Sequence, residues 1–383
     1  MHYRRLGNTG LTVSEIGFGT IPILKGNVPV LPDYYNLEDE EALSVMEEAY
    51  RMGCNLYDTA IVPEYGDAEL KLGMFAARVG REKLILSDKA RFFDGNEMYQ
   101  AVTASCEHLG TYADLYFVHQ VDEKHEDEVF RAGGALDALA ELKEEGKIRF
   151  AGIASHYYDI LLRGAGDARV DVLQGSGNLL ERGMLERIQR EPSFRQKGLL
   201  VNKVYAAGIL PGYFPVRTLL QAVLAYPVSC ALTGLGTKEQ VRLAMGWDTK
   251  METGRLPSFE EVLSVLEKYY EPIPCDRCQK CRCPFGTEIH TIFRQYQYYF
   301  LGKEYWALHK LDMGIEESVR FCRECKEMPC MEMCPSGIRI PEMIEKAGRL
   351  VKTHLQPAGR KPAAFDPKGF SAHRMEREAK RGL

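Results

Sequence analysis

Eight short β-rich runs punctuate the first two-thirds of the chain: "VSEIGFG", "CNLYD", "KLILSDK", "DLYFVH", "KIRFAGI", "VDVLQG", "GLLVNKV" and "VSCALTG". Helical stretches lie between them. In "LEDEEALSVMEEAYRMG", "NEMYQAVTASCEHLG" and "GGALDALAELKEEGK" apolar residues recur at three and four, and a glycine follows. This alternation occupies about the 250 residues that a (β/α)8 barrel needs. The pattern predicts an α/β fold, a (β/α)8 TIM barrel over residues 1–255. A doubly wound sheet is the competing fold, but its G-x-G-x-x-G turn opening a helix is missing.

The composition changes near residue 255. Eight of the 11 cysteines fall between Cys275 and Cys334, while Cys54, Cys106 and Cys230 are scattered and read as small core residues. The N-terminus lacks the apolar run of a signal peptide and no segment approaches a membrane span, so a cytoplasmic protein without membrane association is expected. A net charge of -5 with interspersed signs gives no basic field for nucleic acid. In a reducing compartment, clustered thiols are metal ligands rather than disulfides. The first run is C-x2-C-x2-C-x-C-P (Cys275, Cys278, Cys281, Cys283) and the second C-x2-C-x4-C-x3-C-P (Cys322, Cys325, Cys330, Cys334). Both approximate the bacterial ferredoxin run, which favours two [4Fe-4S] clusters over zinc, whose sites use isolated cysteine pairs. Residues 256–354 thus form a second, mainly α-helical domain. Residues 355–383, with seven Lys or Arg against three Asp or Glu, read as an extended basic tail.

In a barrel, catalysis is sought at the carboxyl ends of strands. Asp58 closes "CNLYD", Lys89 closes "KLILSDK", His119 closes "DLYFVH", and Tyr65 follows the first of these. Singly each has a bland reading: a helix cap, a solvated lysine, a core histidine. Together with "LGNTGLTVSEIGFGT", "YDTAIVPEYGDAELKLG", "GKIRFAGIASH" and "TGLGTKEQV", they make residues 1 to 245 resemble the aldo-keto reductases. The resemblance implies a catalytic tetrad of Asp58, Tyr65, Lys89 and His119. Pro63 stands where the family's tyrosine usually falls, and a two-residue insertion places Tyr65 two positions later. In the implied chemistry Tyr65 protonates the oxygen of a small carbonyl substrate, or takes the proton from an alcohol. Lys89 is expected to lower the tyrosine pKa. Asp58 would hold Lys89, and His119 would orient the carbonyl.

The same resemblance implies NADPH or NADH at the barrel mouth. Ser155, His156, Gln174 and Asn178 would lie near the carboxamide, Tyr205 could stack on the ring, and Thr237, Lys238 and Gln240 belong to the nucleotide-binding "TGLGTKEQV" segment, with Arg242 a further nearby cation. By analogy with ferredoxins, Cys275, Cys278 and Cys281 would share a cluster with Cys334, and Cys322, Cys325 and Cys330 with Cys283. The long intervening segment makes the module similar to α-helical ferredoxins, fused C-terminally as in a subset of aldo-keto reductases. The aromatic run Tyr296, Tyr298, Tyr299, Phe300, Tyr305 and Trp306 reads as packing rather than as an electron relay. Two functions follow. In one, the clusters exchange electrons with a carrier protein, although hydride moves two electrons and a cluster one, which calls for a flavin that no sequence feature indicates. In the other, the clusters are structural or redox-sensing beside an ordinary reductase or docking subunit.

Overall fold

The computed structural model describes residues 1–25, 36–246, 255–302 and 304–354. A hairpin of β1 (Tyr3–Arg5) and β2 (Thr12–Ser14) precedes eight strands: β3 (Ile16–Gly19), β4 (Leu56–Asp58), β5 (Ile85–Ala90), β6 (Ala113–Val118), β7 (Ile148–Ala154), β8 (Val172–Ser176), β9 (Gly198–Asn202) and β10 (Cys230–Gly234). These eight close into a parallel barrel in chain order, with β10 beside β3. The run "VSEIGFG", read as one strand, is divided at Glu15. Its first half pairs back onto β1, and Glu15 accepts from Arg4 Nε at 3.2 Å, while only Ile16–Gly19 enters the barrel.

Side chains alternate across each strand, so one parity points into the barrel. Leu56, Ile85, Leu115, Phe117, Val172, Leu200, Cys230 and Leu232 meet there in one buried cluster, which Leu6 and Val13 of the hairpin extend. Gly7 permits this seating. It has φ +51°, and a Cβ would lie 2.3 Å from Gly198 N. The helices form as their caps dictate. Asp94 accepts from Asn96 N at 2.9 Å to open the helix Gly95–Leu109, and Gly110 in the left-handed region closes it.

Outward parity on β5 places Asp88 between the barrel wall and the helix Ala68–Val79, fully buried and close to Glu69. Burial, then the Glu69 charge, push the Asp88 carboxyl well above its ordinary range; the Lys89 backbone N–H opposes this. A carboxyl whose pKa is raised on folding contributes stability that is complete below the unfolded value near 3.8 and is lost as pH rises through the folded one. Asp88→Asn is therefore expected to flatten the fall in Tm above pH 4. The gain at pH 8 should be about 2–4 °C per kcal/mol relieved, read by calorimetry from pH 4 to 8.

A second compact unit begins at Pro257 and also includes Leu180–Met184 and Ile209–Tyr213, two segments drawn from the barrel sequence. Its described elements from Phe259 on are helices: Phe259–Leu266, Ile289–Phe300, Glu304–Asp312, Ile315–Glu324, Pro329–Glu332 and Ile340–His354. Ile289, Phe293, Tyr296, Ile315, Ile344 and Val351 share its core. Glu181 shows why its segment belongs here. Its carboxylate takes Arg294 Nε at 2.8 Å and Arg277 Nη1 at 3.1 Å, all three residues buried, and Gly183 N donates to Asp276 O at 2.8 Å. Removing one member would strand buried charge. The aromatic run packs: Tyr298 stacks with Trp306 at 6.0 Å, Tyr296 tilts against Phe300 and Tyr299 meets it edge-on. The side chain of Tyr305 and the tail 355–383 lie outside the described residues. Among the described residues no helix is long and apolar enough to cross a membrane.

Candidate active site and cysteine quartets

The inward parity that builds the apolar core ends, strand by strand, on polar residues. β4 runs Leu56 then Asp58, β5 Ile85, Ser87 and Lys89, and β6 Leu115 and Phe117 with His119 just beyond. β8 runs Val172, Gln174 and Ser176, and β9 Leu200 and Asn202. All of these polar groups stand at the carboxyl-terminal mouth.

Asp58 is the hub. Lys89 Nζ donates to Asp58 Oδ2 at 2.6 Å and to Thr59 O at 2.6 Å; Ser87 Oγ and Gln174 Nε2 donate to Asp58 Oδ1 at 2.6 and 3.0 Å. Lys89 and Asp58 are both buried, so the pair is shielded from solvent. The ammonium lies 5.2 Å from the centroid of the Tyr65 ring, and the His119 imidazole meets that ring edge-on at 6.5 Å. All four members of the expected tetrad are thus brought together.

Two properties differ from the sequence reading or sharpen it. The Tyr65 pKa is raised, not lowered. Burial, then the Asp58 charge, push the phenol well above its ordinary value near 10 and outweigh the nearby Lys89 ammonium. Tyr65 therefore stays protonated at neutral pH. Burial, reinforced by Lys89, holds the His119 imidazole well below its usual range, so it is neutral and carries one N–H.

Sequence reasoning missed Ser87, Ser176 and Asn202, although the spacing of two from Lys89, Gln174 and Leu200 marks them as inward. Among the described residues Ser176 Oγ, Asn202 Oδ1, Tyr205 Oη and His119 Nδ1 are buried without a hydrogen-bond partner. Gln174 is held between Asp58 and Asn202 Nδ2, the latter at 3.5 Å. Ser155 Oγ donates to Val121 O at 2.7 Å and accepts from Tyr157 N, so it shapes the turn after β7 that also carries half-buried His156. Asn178 Nδ2 reaches Lys203 O at 3.2 Å. Thr237 caps the helix Lys238–Met245 by accepting from Gln240 N, and Gln240 Oε1 accepts from Gly236 N at 2.8 Å. Arg242, one of the two cations expected near a nucleotide phosphate, is instead paired with Glu48 at 2.7 Å.

In the second unit one cavity is lined by Cys275, Cys278, Cys281 and Cys334, with His290 and Phe293. Burial, then Cys278 and Cys334, push the Cys281 thiol up to about 11. Burial, then Cys283, Cys330 and Cys325, push the Cys322 thiol up to about 11. Cys275, Cys278, Cys281 and Cys334 thus share a cavity, while Cys283, Cys325 and Cys330 are the thiols that act on Cys322; Cys330 also acts on Cys281, so the two groups adjoin. No disulfide joins any of them. Among the described residues no three His, Cys, Asp or Glu side chains converge on a single-ion site.

A closed parallel barrel with an ion pair and a phenol at its carboxyl mouth defines the class: a (β/α)8-barrel protein with a polar site where such folds carry their chemistry. The sequence profile described as the Aldo/keto reductase family matches residues 15–208, and the chain belongs to that family. L-galactose dehydrogenase of Arabidopsis thaliana is 33% identical over 168 residues, 41% of this chain and 49% of its own length. The NADH-specific methylglyoxal reductase of Escherichia coli is 27% identical over 231 residues, 54% of this chain and 68% of its own. The chain thus spans about half the length of the first curated relatives it matches. A Pseudomonas aeruginosa aldo-keto reductase structure aligns with TM-score 0.55 at 28% identity, over 64% of this chain and 93% of that one.

Proposed function

We propose that the barrel interconverts a small carbonyl compound and its alcohol with NADPH or NADH, using Tyr65 as proton donor, and that the second unit holds two [4Fe-4S] clusters serving electron transfer. The observation that carries the barrel reading is the buried 2.6 Å Lys89–Asp58 pair beside Tyr65 and His119. Relatives named as a galactose dehydrogenase and a methylglyoxal reductase support carbonyl and alcohol chemistry. The unpartnered Ser176 Oγ, Asn202 Oδ1 and Tyr205 Oη fit a polar, planar group such as a carboxamide. Bound nicotinamide supplies the hydride.

The chain's own residues do the rest. Tyr65 Oη gives its proton to the oxygen on which negative charge develops, which a phenol held neutral by burial can do across the physiological range. The phenolate left behind is stabilised by the Lys89 ammonium, which Asp58 holds in place. Neutral His119 can donate one hydrogen bond to the carbonyl oxygen without competing for the proton. In the alcohol direction the same groups act in reverse.

Four thiols around one cavity match the ligand count of a cubane, in which each thiolate binds a different iron. A zinc site would gather four thiolates at about 2.3 Å. When bound, the clusters supply one-electron steps. The test is a visible spectrum of anaerobically purified protein before and after NADPH or NADH. Iron-sulfur absorbance is expected, and its bleaching on addition would show that nicotinamide electrons reach the clusters through a mediator, such as a flavin, that splits the two-electron hydride into single electrons. Absorbance that stays unchanged would favour structural or sensing clusters beside an ordinary reductase, and a colourless protein would overturn the cluster assignment and reopen zinc.

A further inference from the structure

Tyr65 sits seven residues after Asp58, in a loop longer than the family pattern by two residues, yet its ring reaches both Lys89 and His119. Ile61 N on Lys89 O at 3.0 Å ties the start of that loop to β5, and beyond it the loop's own bonds are those of one 3-10 turn over Pro63–Tyr65, Tyr65 N on Val62 O at 2.9 Å and Gly66 N on Pro63 O at 3.2 Å, so its far end needs a further tether. The chain then passes through Gly66 at φ +52° and ψ -123°, where a Cβ would lie 3.3 Å from Lys25 O. Asp67 follows.

Asp67 occupies the N-cap of the helix Ala68–Val79, where an aspartate ordinarily accepts from the backbone one turn ahead. It makes no such bond. Its Oδ1 takes Lys25 N at 2.7 Å, and its Oδ2 faces Lys71 Nζ at 3.1 Å. Lys71 is 1% exposed, and its ammonium also donates to Ile23 O at 3.0 Å and Leu37 O at 2.8 Å. Fully burying a lysine is costly unless every proton is used. Here one bond goes to Ile23 in the segment leaving β3, one to Leu37 ahead of the helix Asp39–Arg51, and the ion pair to Asp67. The segment leaving β3 is itself fixed beside Asp58 by Thr20 N on Asp58 O at 2.9 Å and Thr20 Oγ1 on Thr59 Oγ1 at 2.9 Å. A lighter tether flanks Tyr65 on the other side: Arg91 bridges Glu64 at 3.2 Å and Gln120 at 3.0 Å.

We infer that Asp67 and Lys71 are positioning residues for Tyr65, locking its lengthened loop to the backbone of Ile23–Lys25 so that the phenol stays against Lys89 and His119. The inference rests on Tyr65 being the acid of the proposed reaction. Neither residue contacts the tetrad, so the effect is transmitted through Gly66.

The test uses the full chain with its native cofactors and compares Asp67→Ala, Tyr65→Phe and the double variant on a panel of small aldehydes and ketones including 4-nitrobenzaldehyde, with NADPH and NADH. Asp67→Ala should lower kcat by about tenfold or more, as expected for a displaced catalytic group. The KM for nicotinamide should hold within about twofold, since the nucleotide-side groups are untouched. In the Tyr65→Phe background, removing Asp67 should cost nothing further; an additive loss would show a general structural role and overturn the inference. Lys71→Met, which can fail to fold, is secondary to Asp67→Ala. If wild-type protein reduces none of the carbonyls, the proposed reaction fails while the positioning role is still decided by carbon-13 NMR of ring-labelled tyrosine. At neutral pH the resonance absent in Tyr65→Phe should shift in Asp67→Ala, because the ring leaves its place against Lys89 and His119, and an unchanged resonance would overturn the inference on its own.

Discussion

Tyr65→Phe is expected to abolish carbonyl reduction, lowering kcat by ~10²–10⁴ while nucleotide binding is unchanged. The substitution removes one oxygen and keeps the ring that meets His119 edge-on at 6.5 Å and faces Lys89 at 5.2 Å, so packing at the mouth survives. What is lost is the proton source. His119 cannot replace it, since burial holds the imidazole neutral and its remaining N–H is far less acidic than an imidazolium. Lys89 cannot replace it either without breaking its bonds to Asp58 and Thr59 O. Steady-state rates with nicotinamide fluorescence titration check both halves of the expectation. Near wild-type turnover would mean that another group is the acid.

The second large effect concerns iron. Cys278→Ala should remove one cluster and leave the other, so that iron falls from about eight to about four per chain. The quartets make a sharper prediction than the runs do. Cys334 lies far from Cys278 in sequence, yet both line one cavity, so Cys334→Ala and the double variant should each stop at the same half content. Cys283→Ala should empty the other site, because Cys283 is an electrostatic neighbour of Cys322 and Cys330. Iron and sulfide assays with electron paramagnetic resonance of the reduced protein read this directly. If Cys278→Ala and Cys334→Ala together removed all the iron, the quartets would be wrongly drawn.

Much of the barrel site was legible because a strand carries its own coordinate system. Ile85, Ser87 and Lys89 must share a face, as must Val172, Gln174 and Ser176, and the apolar start of each series says that the face is inward. Asp88, one residue out of step, must point the other way, and it meets Glu69 instead of the mouth. The same parity would have found Ser87 and Asn202. It could not reveal the burial of the Tyr65 phenol, which with the Asp58 charge turns the expected lowering of its pKa into a rise. That outcome depends on burial and on carboxylates that folding brings near, and neither is a property of local sequence.

By itself, then, the sequence determined the alternation of strands and helices, the inward residues of each strand, and the cysteine spacing with its ferredoxin-like form. All three are periodic or local, and backbone geometry enforces them wherever the chain goes. Tertiary structure alone decided the rest. It drew Leu180–Met184 into the helical unit, where Glu181 neutralises Arg277 and Arg294. It turned Asp67 Oδ1 from the backbone of its own helix to Lys25 N. It also took Arg242 from a candidate phosphate ligand to a partner of Glu48. Each of these joins charges or hydrogen-bonding groups distant in sequence, and a buried or partly buried polar group takes whichever partner folding sets within reach.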